Sequence, residues 1–300
     1  MKKIEGIFVP TATPFNDKGE IDFGRLAENI GKFGRTGLAG VVALGSNGEF
    51  VFLSRKEKTA LVKAVREALP KDKMVIAGTG CESLQETIEL TKEMGDLGAD
   101  AALVINPHYY KGAMSKEATL EKFYTAVADA SPIPIMLYNM PANSGVNLTA
   151  TLIVKLSAHP NIAGVKDSGG NIVQISEVLA GAPKDFSVFA GSASFLFATT
   201  LLGGVGGTLA TANVAPDLCA ELYDLSKRRE IDKARELQLK ILTLNACVTS
   251  VYGVSGLKAG MDMVGLYGGL PRPPLQPASD EARAAIRAEL EKLGLIGKYK

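Results

Sequence analysis

Eight times along this chain a short apolar run gives way to a Gly/Ser/Asn/Pro-rich break, then to a stretch whose apolar residues recur at helical spacing. No other feature narrows the fold as far. The apolar runs fall at residues 6–10, 40–44, 74–78, 101–106, 134–139, 162–166, 187–190 and 207–210. The helical stretches after them cover 23–33, 55–69, 84–97, 116–130, 150–158, 172–180, 194–202 and 216–228. Strands that are apolar at nearly every residue belong to a covered sheet, and a helix after each strand makes the sheet parallel. Eight such units predict an α/β chain folded as a (β/α)8 TIM barrel. An open doubly wound sheet is the competing arrangement, but no G-x-G-x-x-G succeeds the first apolar run.

The strand pattern stops after Arg229. Residues 232–247, 256–265 and 280–293 read as three helices, with a Gly/Pro-rich segment at 267–277. The expected division is a barrel over residues 1–229 and a C-terminal helical extension over 230–300. With 300 residues, 46% of them hydrophobic, the chain has material for a large core. A formal net charge of +1 supplies no field for nucleic acid. No apolar run reaches the roughly 18 residues that a membrane span requires. Cys81, Cys219 and Cys247 form no C-x-x-C pair, and residues 1–10 lack the apolar core of a signal peptide. A reducing cytoplasm is the expected compartment.

In such barrels the chemistry sits at the C-terminal ends of the strands and in the loops after them. Lys166 ends the fully apolar run Ile162-Ala163-Gly164-Val165 and precedes Asp167-Ser168-Gly169-Gly170. An amine held there is partly stripped of water, which disfavours its charged form and frees a nucleophilic lone pair. The plainer reading is a lysine that marks where the strand surfaces. After the second run, Gly45-Ser46-Asn47-Gly48-Glu49 can expose N–H groups and hydroxyls to a carboxylate, or can be an ordinary turn. After the fifth, Tyr138 is one strand away from Lys166, as a proton relay beside an amine or as an aromatic cap on the barrel. Tyr109 and Tyr110, after the fourth run, either reach a site or a neighbouring subunit, or pack under their loop. Thr208 adds a polar group at the eighth strand, and Gly191 a small residue beside the cavity after the seventh. His108 and His159 read as non-metal, the first without a carboxylate partner and the second as a helix-end cap. No metal-ligand cluster, P-loop or Ser/His/Asp arrangement is present, and no cofactor is expected. A lysine with tyrosine and hydroxyl partners points to Schiff-base chemistry.

Gly45-Ser46-x-Gly48-Glu49, Tyr138-Asn139-x-Pro141 and Gly164-Val165-Lys166-Asp167 resemble the signatures of the dihydrodipicolinate synthase / N-acetylneuraminate lyase superfamily. The resemblance covers essentially the whole chain. It implies a barrel with a C-terminal helical extension, usually a homotetramer (a dimer of dimers), performing class I aldol chemistry on pyruvate without metal. By that resemblance Lys166 is the Schiff-base lysine and Tyr138 the relay. Ser46 and Asn47 sit in the loop that contacts the pyruvate carboxylate, Ser168 and Gly191 line the pocket, and Tyr109 is lent across a dimer interface. The synthases carry an arginine shortly after the Tyr-Asn-x-Pro motif. This chain has Ala142-Asn143-Ser144 there, which argues against synthase activity. Within the family, Pro141-Ala142-Asn143-Ser144-Gly145, Lys166-Asp167-Ser168-Gly169-Gly170 and Asn106-Pro107-His108-Tyr109-Tyr110-Lys111-Gly112 are most similar to the 4-hydroxy-2-oxoglutarate aldolases. Those often have Tyr-Ser-Val-Pro where this chain has Tyr138-Asn139-Met140-Pro141. The implied reaction cleaves a 4-hydroxy-2-oxo acid to pyruvate and a small aldehyde, with Lys111 as the candidate cation for a distal carboxylate. A sugar-acid or sialic acid aldolase, the synthase, and a silent barrel that only binds an oxo acid are the alternatives.

Overall fold

The computed structural model describes residues 3–300. In chain order its elements are β1 Gly6–Pro10, α1 Phe23–Gly34, β2 Gly40–Ala43, α2 Arg55–Ala68, β3 Met74–Gly78, α3 Leu84–Asp96, β4 Ala101–Ile105 and α4 Lys111–Met114. Next come α5 Glu117–Ala130, β5 Ile135–Asn139, α6 Pro141–Ser144, α7 Ala150–Leu156, β6 Ile162–Asp167, α8 Ile172–Gly181, β7 Ser187–Ala190, α9 Leu196–Leu201, β8 Gly206–Thr208 and α10 Pro216–Lys227. The extension contributes α11 Ile231–Ala246, a π-helical turn at Cys247–Val251, α12 Gly253–Val264 and α13 Asp280–Lys292. The eight strands pair in sequence order, all parallel, and β8 returns to β1 to close the barrel.

Helix starts arise from local chemistry. Ser54 and Glu57 form a reciprocal capping box on α2, and Asp22, Ser83, Thr149, Asn171 and Ser279 accept from first-turn N–H groups of their helices. Each such cap is worth about 1 kcal/mol and marks where loop becomes helix.

Side chains alternate between the two faces of each strand, and laterally paired residues share a face. The inward set includes Phe8, Val42, Ile76, Leu103, Met136, Tyr138 and Phe189, which pack together as the barrel interior. The outward set, including Val9, Val41, Val75, Val104, Leu137 and Val165, packs against the helices. Gly164 is needed inside because β6 passes β7 closely. A methyl group there would come 2.3 Å from the Ser187 carbonyl oxygen.

The structure moves several expected boundaries. The eighth strand is Gly206–Thr208, not 207–210, because residues 210–213 turn over the barrel as a 3-10 helix. Side-chain bonds hold that turn: Asn213 donates to the Pro10 and Ala210 carbonyls, and Thr211 donates to Asn245 Oδ1. The ninth helix starts at Leu196 after a 3-10 turn at Ala193–Phe195, rather than at residue 194. α4 and α6, four residues each, are too short to show a helical period. The helices after Arg229 share one apolar core with the barrel, in which Ile241, Leu244, Leu257 and Met261 pack with Leu209, Val214 and Leu222.

Candidate active site

Tyr138 on β5 lies directly opposite Lys166 on β6, and Lys166 opposite Phe189 on β7. All three therefore point into the barrel at its C-terminal end. Lys166 is 4% exposed and Tyr138 5%. The Lys166 ammonium nitrogen stands 4.0 Å from the Tyr138 ring centroid, within range of a cation–π contact. Among the described residues Lys166 takes part in no ion pair, so its nearest electrostatic support is that ring.

Ser46 reaches the same point from the loop after β2. Its hydroxyl oxygen lies 3.4 Å from the Tyr138 phenol oxygen. That is long for an O–H···O bond, and catalytic hydrogen bonds commonly tighten only around substrate. Burial alone would push the Tyr138 phenol up. The Lys166 charge, with hydrogen bonds from Ser46, Lys166 and Ser168, outweighs it and brings the phenol below its ordinary value of 10.0. A phenol so placed gives up its proton more readily than one in water.

The segment just after Lys166 aims the lysine. Asp167 turns outward, where Oδ1 accepts from the N–H groups of Gly169 (2.9 Å) and Gly170 (3.1 Å). Its Oδ2 accepts from Asn139 Nδ2 (2.8 Å) and Gln174 Nε2 (3.2 Å). The Ser168 N–H donates to the Asn139 carbonyl at 2.8 Å, tying the ends of β5 and β6 together. Sequence alone gives this buried network no role, although Asp before Ser-Gly-Gly is a turn signal. Gly191 donates its N–H to the Asp167 carbonyl at 2.6 Å and leaves no room for a side chain. A methyl group on it would lie 2.0 Å from Ser168 Oγ and 2.6 Å from Asp167 O. Gly191→Ala should therefore displace the Lys166-Asp167-Ser168 segment, lowering stability by about 1–3 kcal/mol and activity with it. Thermal denaturation and a turnover assay check this; a variant with parental melting and turnover would contradict the packing described.

Asn47 is half-buried beside Ser46 in a 3-10 turn, Ser46–Gly48. Thr208 is buried and paired with Phe8, so it too faces the barrel interior. Tyr109 does not join the cluster within one chain. Its ring is 77% exposed and stacks edge-on against Tyr110 with centroids 5.2 Å apart. His108, expected to lack a carboxylate, pairs with Glu82 at 3.0 Å, and Glu82 also accepts the N–H groups of residues 108 and 109. The partner comes from the loop after β3, which chain order does not place beside His108. His159, just past α7, bonds Asp129 at 3.0 Å. Lys111 lies across the turn after β5: a methyl group on Gly145 would come 2.9 Å from its ammonium nitrogen. Among the described residues no group of three or more His, Cys, Asp and Glu side chains is arranged to hold a metal.

A small recess at the C-terminal end is lined by Leu44, Gly45, Ser46, Leu103, Ile105 and Tyr138. A roomier depression of about 450 Å³ opens at the other end of the barrel, lined by residues such as Ile4, His159 and Phe186. The smaller recess holds the Ser46 hydroxyl and the Tyr138 phenol, beside which Lys166 stands.

The chain is similar to known proteins over nearly its whole length. The model of the dihydrodipicolinate synthetase family matches residues 3–293. A probable mitochondrial 4-hydroxy-2-oxoglutarate aldolase of Emericella nidulans is 36% identical, over 97% of this chain and 96% of that protein. An L-threo-3-deoxy-hexylosonate aldolase of Hypocrea jecorina is 37% identical, over 98% of this chain and 97% of that protein. Among solved structures, YagE, an Escherichia coli K12 prophage protein of the dihydrodipicolinic acid synthase family in complex with pyruvate, superposes with a TM-score of 0.90. It is 30% identical and covers 97% of this chain and 99% of its own.

Proposed function

Because this chain belongs to the dihydrodipicolinate synthetase family, we propose that it is a class I pyruvate aldolase whose substrate is a 4-hydroxy-2-oxo acid, with 4-hydroxy-2-oxoglutarate the foremost. It is a carbon–carbon lyase of that family. The observation that carries the mechanism is the buried Lys166 amine, unpaired with any carboxylate among the described residues, 4.0 Å from the ring of a phenol whose proton is loosened.

Lys166 Nζ attacks the C2 ketone, and the carbonyl oxygen leaves as water, giving an iminium. Tyr138, oriented by Ser46 and by a Tyr109 supplied by a neighbouring subunit, takes the proton from the C4 hydroxyl. The C3–C4 electron pair moves toward the iminium nitrogen, releasing the aldehyde and leaving an enamine. Protonation at C3 and hydrolysis then return pyruvate and the free lysine. Asn47, Ser168, Gly191 and Thr208 surround the bound oxo acid in this reading. Lys111, carried over the turn after β5, is the cation we assign to a distal carboxylate. The 77% exposure of Tyr109 supports its place at an interface, in a homotetramer built as a dimer of dimers.

Two relatives of nearly equal identity carry different substrate names, so the site chemistry has to choose. Ala142-Asn143-Ser144, which folds as α6, brings no cation to the position where the synthases carry an arginine. A 2-keto-3-deoxy sugar acid is the second reading, favoured by the exposed, uncharged polar Asn143 in that turn. No described helix is long and apolar enough to cross a membrane. A reducing cytoplasm is the compartment we assign, supported by three free cysteines, although the Emericella relative is named as mitochondrial. The test is kcat/KM for pyruvate release from 4-hydroxy-2-oxoglutarate and from 2-keto-3-deoxy sugar acids, set beside condensation of pyruvate with aspartate semialdehyde. The first should be highest, and rapid condensation would overturn the choice.

A further inference from the structure

The mechanism leaves one pair of fully buried charges unused. Lys258 on α12 and Glu49, at the end of the Ser46 turn, are each 1% exposed at the side chain, with 2.6 Å between Nζ and Oε1. The second oxygen of Glu49 accepts the backbone N–H of Arg272 at 2.8 Å. Lys258 also donates to the Leu270 carbonyl at 2.9 Å. Phe15 contacts both cations, each 4.4 Å from its ring centroid. The Arg272 guanidinium continues to the Phe52 carbonyl, to Glu57 and to Gly19 O. Two residues of the extension, Lys258 and Arg272, are thus joined to Glu49, and Arg272 also to Phe52 and Glu57 beyond it.

A buried ion pair is a poor device for stability alone, because desolvation offsets most of the attraction. What it does well is select one geometry. The loop it grips needs that help, since Leu44 (φ 58°) and Glu49 (φ 57°) are both in the left-handed region without being glycine. Ser46, the residue that meets the Tyr138 phenol, lies between them. On the barrel side Thr13 holds the same turn by donating to the Gly48 carbonyl at 2.7 Å.

We propose that Lys258 and Arg272, acting through Glu49, are positioning residues that hold the Ser46 turn against Tyr138, which makes the C-terminal extension part of the proton relay. The inference rests on the reading of Tyr138 as that relay. Removing one charge alone would strand the other, so the primary variant is the neutral double substitution Glu49→Gln with Lys258→Met. Glu49→Gln alone, in which Lys258 keeps its bond to the Leu270 carbonyl, serves if the double variant does not fold.

The parent protein must first form the borohydride-trapped pyruvate adduct on Lys166; if it does not, the functional reading fails, independently of this inference. Given that adduct, the variant should form it to the same extent while kcat falls between about 10- and 100-fold, the scale of a mis-set catalytic group. The inflection that Tyr138 contributes to kcat/KM should move to higher pH, because loosening Ser46 removes a bond that holds the phenol down. In a Ser46→Ala background the same substitutions should cost nothing further in kcat. A variant with lowered melting temperature but parental kcat and pH profile would reduce the pair to a structural tie and overturn the proposal. So would full additivity with Ser46→Ala.

Discussion

Lys166→Met is expected to abolish turnover, by on the order of 10⁴-fold or more as for other covalent nucleophiles, while leaving the fold intact. The amine is buried between Tyr138 and Phe189 and, among the described residues, has no carboxylate to leave stranded. Methionine fills nearly the same volume and adds apolar contact where a polar group was desolvated. The melting temperature should therefore equal or exceed that of the parent, a residue kept for chemistry at a cost to stability. Loss of activity together with loss of folding would mean that Lys166 acts as a structural lysine. Retained activity would remove it from the mechanism.

Tyr138→Phe carries the second large effect. The ring stays over Lys166 and only the phenol oxygen is removed, with its contact to Ser46. Schiff-base formation should persist while turnover falls by about 10²–10⁴-fold, the worth of a placed proton-transfer group. The pH dependence gives the sign. The Lys166 charge and the hydrogen bonds from Ser46, Lys166 and Ser168 outweigh burial and set the phenol below 10.0. The limb of kcat/KM that rises as the phenol loses its proton, and so becomes able to take the C4 proton, should therefore appear at lower pH than for a free phenol. In Tyr138→Phe that limb should be absent. A variant that keeps the limb would assign it to another group.

These expectations show which features a linear chain can carry. The barrel was legible because most strands are short runs apolar on both faces and the crossovers between them have a helical period, both local patterns. The pairing of Lys166 with Tyr138 was legible for a related reason: both stand at the ends of consecutive strands, and parallel register sets them side by side. Ser46 came with its turn motif. The rest depends on contacts between segments far apart in the chain. Glu49 reads as the last residue of a turn until α12 and the segment around Arg272 fold beneath it. Glu82 meets His108 only because the loops after β3 and β4 adjoin. The eighth strand ended early because Asn213 and Thr211 found partners at the end of β1 and in α11. Tyr109 gave no local signal that would choose between packing under its loop and standing 77% exposed.

In the proposed mechanism the oxo acid becomes covalently bound to this one buried amine. The most direct measurement is to mix the unmodified protein with pyruvate, reduce with borohydride, weigh the intact chain and map the product by peptide mass. One reduced pyruvyl group per chain is expected, on the peptide that contains Lys166, and none in Lys166→Met. An unmodified mass, or a label on another amine such as the buried Lys258, would contradict it.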